Sequence, residues 1–169
     1  MHQVINKYHQ GLNQLNRQLR YMSEIIKSAI VPHNSTQMLT LVNDIETYPD
    51  FLKWCKQGYI DQQSTNSYVA GMVVRVKGVQ IEFSTKNTII HEDAITSMFM
   101  TLVSGPFKRM SGEWRFQQFP EFGSKVELQL QYEIKSQLLG RMFAKGFDQI
   151  AGHLVNDFVN RAGVVYANN

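Results

Sequence analysis

The chain has 169 residues, 43% of them hydrophobic and 18% charged, with a formal net charge of +3 and a single cysteine, Cys55. That length fits one domain with a real core, and one thiol excludes an internal disulfide and suits a reducing compartment. No apolar run is long enough to span a bilayer, and no signal-peptide core is present. Residues 1–21 carry Lys7, Arg17 and Arg20 and no acid. All 14 acidic residues lie from Glu24 onward; 17 Lys and Arg less those three leaves 14 basic residues to meet them. The body is therefore neutral and lacks the basic footprint of a dedicated nucleic-acid binder. DNA is not expected as a partner. Lys108 with Arg109, and Arg141 with Lys145, remain candidates for a local basic patch.

Val4, Tyr8, Leu12, Leu15 and Leu19 fall at helical spacing, but Gly11 and the polar composition weaken that helix. Residues 1–21 read as an N-terminal extension without fixed structure. Its three charges and leucine stripe suit weak adhesion to an anionic membrane. The folded domain is expected over 22–169. Glu24 to Val31 reads as a strand ended by Pro32. Asn34 or Ser35 caps a helix carrying Met38, Leu41, Val42 and Ile45. Tyr48-Pro49-Asp50-Phe51 breaks it and starts a turn or second helix. A strand follows from Trp54 to about Gln63, and Ser64 to Ser67 is turn chemistry. Tyr68, Ala70, Met72, Val74 and Val76 alternate with Val69, Gly71, Val73, Arg75 and Lys77. Lys77-Gly78 turns into Val79, Ile81, Phe83 and Thr85, again alternating with polar residues. His91-Glu92-Asp93 is a turn. Ile95 to Val103 is a strand closed by the Ser104-Gly105-Pro106-Phe107 loop. Glu113 to Phe119 is a strand. Val126, Leu128, Leu130, Tyr132 and Ile134 mark the last one.

From Leu138 the period changes from two to about 3.6. Leu139, Phe143, Phe147, Ile150, Leu154, Phe158, Ala162 and Val165 paint one apolar face on a helix. Roughly 28 residues at 1.5 Å each give about 42 Å. An apolar stripe that long needs an equally long partner. The strands supply it: an α+β fold with a curved antiparallel sheet of about six to seven strands gripping one C-terminal helix. Such an arrangement is a container for apolar ligands.

Two segments resemble the signatures of the coenzyme-Q-binding protein family, known in bacteria as the ribosome association toxin family. One runs from Leu41 through Asn43, Tyr48-Pro49-Asp50-Phe51 and Trp54 to Cys55. The other is Gly105-Pro106-Phe107-Lys108-Arg109-Met110-Ser111-Gly112-Glu113-Trp114-Arg115-Phe116. The resemblance covers roughly Ser23 to Tyr166 and implies a START-like helix-grip fold of the polyketide cyclase superfamily. It also implies two functions. One is non-enzymatic binding of ubiquinone or a similar polyprenyl lipid in support of respiration, with no cofactor beyond that ligand. The other is binding to the large ribosomal subunit, which blocks its joining to the small one. A third reading is an aromatase- or cyclase-like enzyme. The family implies a cytoplasmic, bacterial protein with peripheral contact at the inner membrane, rather than one of the mitochondrial matrix.

Strand parity and the helical stripe place Met72, Val74, Ile81, Phe83, Phe116, Leu128, Phe147, Ile150 and Leu154 on the faces that must meet. With Phe51, Trp54 and Phe107 they are the expected ligand-binding set. Phe107 reads either as a lid over the cavity mouth or as ordinary packing on Trp54. Cys55, with neither a second thiol nor a base beside it, reads as a small buried hydrophobe. The five histidines lack metal-ligand spacing, and no catalytic constellation of residues is present. Gly140, Gly146, Gly152 and Gly163 in one helix either serve its packing or leave room for a ligand beneath it.

Overall fold

A computed structural model describes residues 22–135 and 140–167, with only the backbone of residues 140 and 141. The N-terminal extension, Leu138, Leu139 and the Arg141 side chain lie outside the described residues. The chain runs β1 (Met22–Val31), α1 (Ser35–Asn43), a 3-10 turn (Ile45–Thr47), α2 (Tyr48–Phe51), β2 (Cys55–Gln63) and β3 (Ser67–Val76). It continues with β4 (Val79–Glu92), β5 (Ile95–Ser104), β6 (Phe107–Gln118), β7 (Ser124–Ile134) and α3 (Gly140–Val165). The seven strands form one sheet in the order β1-β7-β6-β5-β4-β3-β2. Every neighbouring pair is antiparallel. Strands β2 to β7 are the expected meander. β1 closes against β7, with Ile25 opposite Leu130 and Val31 opposite Ser124.

The turns follow their residues. Asn34 caps α1: its side chain accepts from the Gln37 amide at 2.8 Å, and the Gln37 side chain returns a contact to the Asn34 amide at 2.9 Å. That reciprocal box satisfies two orphan donors of the first turn. Lys77 and Gly78 both have positive φ, 51° and 83°, as a two-residue hairpin with the right twist requires. His91 and Glu92 belong to β4, and the turn falls at Asp93, whose φ is 46°.

Strand β6 is also longer than the sequence predicts. Phe107, expected in the preceding loop, and residues 108–112, which the predicted strands leave unassigned, make up its first half. A register shift between Phe107 and Arg109 breaks its alternation, and Gly112 offers no side chain to reveal it. The terminal helix also differs in detail. Phe143, Phe147, Ala151, Val155, Phe158 and Ala162 form its buried face. Ile150 and Leu154 are half-buried, and Val165 is 44% exposed. The helix is rolled so that small Ala151 and branched Val155 meet the sheet, which brings the axis close. The larger Ile150 and Leu154 move to a flank.

Candidate functional site

Helix α3 lies across the concave face of the sheet, and its two flanks have different neighbours. On one flank, Asp148 accepts a hydrogen bond from the Tyr132 hydroxyl of β7, and a Cβ on Gly152 would stand 4.0 Å from Lys27 Cε of β1. On the other, a Cβ on Gly146 would stand 2.5 Å from Val76 Cγ1 of β3, so this glycine lets helix and strand touch. Further along that flank, the Arg161 guanidinium sits 5.2 Å over the Phe51 ring. At 100° per residue Ile150 and Leu154 share this second flank. They look toward β3 and α2, away from β1 and β7.

Beneath the helix the sheet divides into two parts. The inward side chains of β6 and β7 are sealed: Phe107, Met110, Trp114, Phe116, Val126, Leu128 and Tyr132 are all buried. The inward side chains of β3 to β5 are mixed. Val74, Ile81 and Phe83 are buried, but Met72, Thr85, Met100 and Leu102 are only half-buried. Register makes the last four contiguous: Thr85 is opposite Leu102, and Met72 is opposite Phe83, one inward step from Thr85. Ile150, Leu154, Phe51 and Trp54 are likewise half-buried and pack against the core. This cleft between the second flank of α3 and strands β3 to β5 is the candidate site.

The expected ligand-binding set therefore falls into two groups. Phe51, Trp54, Met72, Ile150 and Leu154 border the cleft. Val74, Phe116 and Leu128 have no exposed surface at all and are held on every side by protein. Phe83, Phe107 and Phe147 join Tyr132 and Phe143 in an aromatic knot, with ring centroids 4.9 to 6.2 Å apart. Phe107 is 2% exposed, and its ring partners are Phe83, Tyr132 and Phe147 rather than Trp54. Gly105 sets this up: its φ is 133°, and a Cβ there would meet Phe83 Cβ at 2.5 Å. Ile81 is buried beside the knot.

A polar belt crosses the cleft floor, and the sequence reading missed it. The Tyr68 hydroxyl donates to Asn43 Oδ1 at 2.8 Å, with Met98 Sδ as an alternative, weaker acceptor at 3.2 Å. Thr85 donates to Asn87 Oδ1 at 3.0 Å. Burial pushes the Tyr68 hydroxyl up to about 12, with Asn87 opposing, so it stays a donor at physiological pH. The signal was present: Asn87 continues the inward parity of Ile81, Phe83 and Thr85.

Other candidates resolve simply. Burial raises the Cys55 thiol, which disfavours the reactive thiolate. Lys108 Nζ and Arg109 Nη2 lie 2.8 and 3.0 Å from the Glu133 carboxylate, itself 3% exposed, so one of the two charges of the expected basic pair is compensated and a single positive charge remains. Lys108 above all holds the Glu133 carboxyl below its usual range, against the cost of burial. Burial raises the Asp157 carboxyl on the cleft flank, and His153 opposes the rise. Among the described residues no group of His, Cys, Asp and Glu is placed to hold a metal. No described helix is long and apolar enough to cross a membrane.

The polyketide cyclase, dehydrase and lipid transport family matches residues 31–159. The chain belongs to this family. Ribosome association toxin RatA of Vibrio cholerae is 37% identical over 86% of this chain and 99% of its own. The mitochondrial coenzyme Q-binding protein coq10 of Schizosaccharomyces pombe is 21% identical over 81% of this chain and 85% of its own. Among solved structures, the Zhui aromatase/cyclase from Streptomyces superposes with a TM-score of 0.71 at 14% identity. That likeness covers 88% of this chain and 99% of the cyclase. It shows the fold, the START-like α+β architecture that the sequence predicts.

Proposed function

We propose that the protein binds ubiquinone or a similar polyprenyl lipid in the cleft between α3 and strands β3 to β5, without carrying out a reaction on it. The observation that carries this reading is the half-buried apolar surface of Met72, Met100, Leu102, Ile150 and Leu154 beside the core. Apolar side chains left accessible in a concave site favour a ligand that removes them from water. The name of the coq10 relative supports the ligand class. A cytoplasmic protein that visits the inner membrane would have access to such a lipid. The test is mass spectrometry of lipid extracted from the purified protein, followed by titration of the stripped protein with ubiquinone. A co-purifying polyprenyl quinone is the expected result. A protein that carries no lipid and ignores added ubiquinone would overturn the reading.

A second reading is association with the ribosome, favoured by the 37% identity to a relative named for it. The large subunit would be the partner. Co-sedimentation with purified ribosomal subunits tests it, and protein remaining at the top of the gradient would exclude it.

A further inference from the structure

The folded body is formally neutral, yet its two ends carry opposite charge. The β3–β4 turn, the β5–β6 loop, the end of β7 and the start of α3 meet at one end of the sheet. Contacts tie them together: a Cβ on Gly146 of α3 would stand 3.0 Å from Lys77 Cγ, and the Lys135 amide donates to the Pro106 carbonyl at 2.8 Å. Lys77, Lys108, Arg109, Lys135 and Lys145 stand here, all exposed. Glu133 answers Lys108 and Arg109, whereas Lys77, Lys135 and Lys145 have no ion pair among the described residues. Arg75, Glu24, Glu82 and Asp148 lie further in; with them the end holds six cations and four carboxylates among its described side chains. The turns at the opposite end, residues 63–67, 91–95 and 118–124, hold Glu92, Asp93 and Glu121 and no Lys or Arg. Met22 pairs with Glu133 at the basic end, so the acid-free stretch with Lys7, Arg17 and Arg20 joins the body there. Exposed apolar side chains stand at the same end: Met142 at 70%, Val103 at 55% and Met22 at 36% exposure.

We propose that this basic end docks on an anionic lipid bilayer, with Met142, Val103 and Met22 entering the headgroup region. Lys and Arg close to a bilayer are attracted by its anionic headgroups. Apolar side chains among them add burial that a purely ionic contact lacks. That apolar component favours a membrane over a nucleic-acid backbone, for which cations alone suffice. The charge separation also sets the orientation, because the surface that attracts the basic end repels the acidic one. Helix α3 and strands β3 to β5 all reach the basic end, so docking brings the cleft between them to the membrane. The inference goes beyond the lipid reading and holds whether or not the cleft carries a quinone.

The test is flotation of the full-length protein with vesicles of phosphatidylcholine alone, or of phosphatidylcholine and phosphatidylglycerol mixed two to one. Lys77→Glu combined with Lys145→Glu reverses two exposed charges of the basic end. Lys86→Glu combined with Arg115→Glu makes the same change in net charge at exposed positions on the outer face of β4 and β6. The wild type should float with the anionic vesicles and stay behind with the neutral ones. The first double variant should lose about tenfold or more in partitioning, and the second under about twofold, since charges away from the contact are screened. Met142→Ser should cost several-fold, which a purely ionic contact would not show. Equal losses in the two double variants, or equal flotation with both kinds of vesicle, would overturn the docking end. Protein that ignores vesicles but sediments with ribosomal subunits through Lys77 and Lys145 would overturn it in favour of the ribosome. A cooperative thermal transition confirms that each variant is folded; should the first double variant fail to fold, Lys135→Glu at the same end decides by the same flotation. Titration with ubiquinone in the absence of vesicles tests the cleft separately, so failure to float leaves the lipid reading standing.

Discussion

Strands β6 and β7 and strands β3 to β5 line the same concave face, yet they end in different states. β6 and β7 meet the helix through Trp114, packed on Phe158, and Tyr132, packed on Phe147, and their inward side chains are buried. β3 to β5 leave Met72, Thr85, Met100 and Leu102 partly open. The difference comes from where the helix sits. Ala151 and Val155 let α3 approach the sheet closely, while the Asp148 and Gly152 flank contacts β7 and β1. The sheet is wider than one helix, so its other half is left without a full cover. Close-packed interiors tolerate little loss of volume, whereas a half-open surface has already accepted it. One half therefore supports the fold and the other can host a ligand.

The largest expected effect tests the sealed half. Phe147→Asp places a carboxylate in the aromatic knot and should prevent stable folding, read as loss of a cooperative thermal transition. Phe116→Ala and Phe147→Ala should each cost about 3–5 kcal/mol in urea unfolding, because a filled core leaves a cavity behind. Leu154→Ala, on the open flank, should cost under about 2 kcal/mol yet reduce lipid retention, since part of its surface is accessible already. If the Phe116 and Leu154 variants lost equal stability, the division into two halves would fail.

The Glu133 carboxylate gives a pH-dependent version of the same test, on the outer face of β7. Its folded-state pKa lies below the ordinary value. The sign follows: the pairing stabilises the fold above the unfolded-state pKa and is lost as pH falls through the folded one. Glu133→Gln should therefore lower Tm at pH 7, and the gap from wild type should close in the acid range below about pH 4. A gap that stays constant from pH 7 to acid would show that Lys108 and Arg109 contribute nothing through charge.

The smallest effects concern the helical glycines. Nothing lies within 4 Å of a Cβ built on Gly163, whereas one on Gly146 meets Val76 at 2.5 Å. Gly163→Ala should stabilise by up to about 1 kcal/mol through helix propensity alone. Gly146→Ala should lose that gain to the clash, and the two Tm values should move in opposite directions.

Much of this was legible in the residues. Period-two alternation identified the strands, the change to period 3.6 after Ile134 identified the long helix, and hairpin-length connections implied the meander. These are local consequences of side-chain geometry, so a single chain carries them. The pairing of β1 with β7 was not legible, because it joins segments about a hundred residues apart and depends on the sheet closing. The early start of β6 was hidden by a register shift that erased its alternation. The roll of α3 was decided by packing. Its stripe contains both Ile150 and Ala151, and hydrophobicity alone favours the larger residue, while close approach to a sheet favours the smaller. That choice turned Ile150 and Leu154 toward the cleft and sealed Val74, Phe116 and Leu128 in the core. The polar belt is of the same kind. Asn43, Tyr68 and Asn87 are unremarkable apart, and only the meeting of α1, β3 and β4 makes them neighbours.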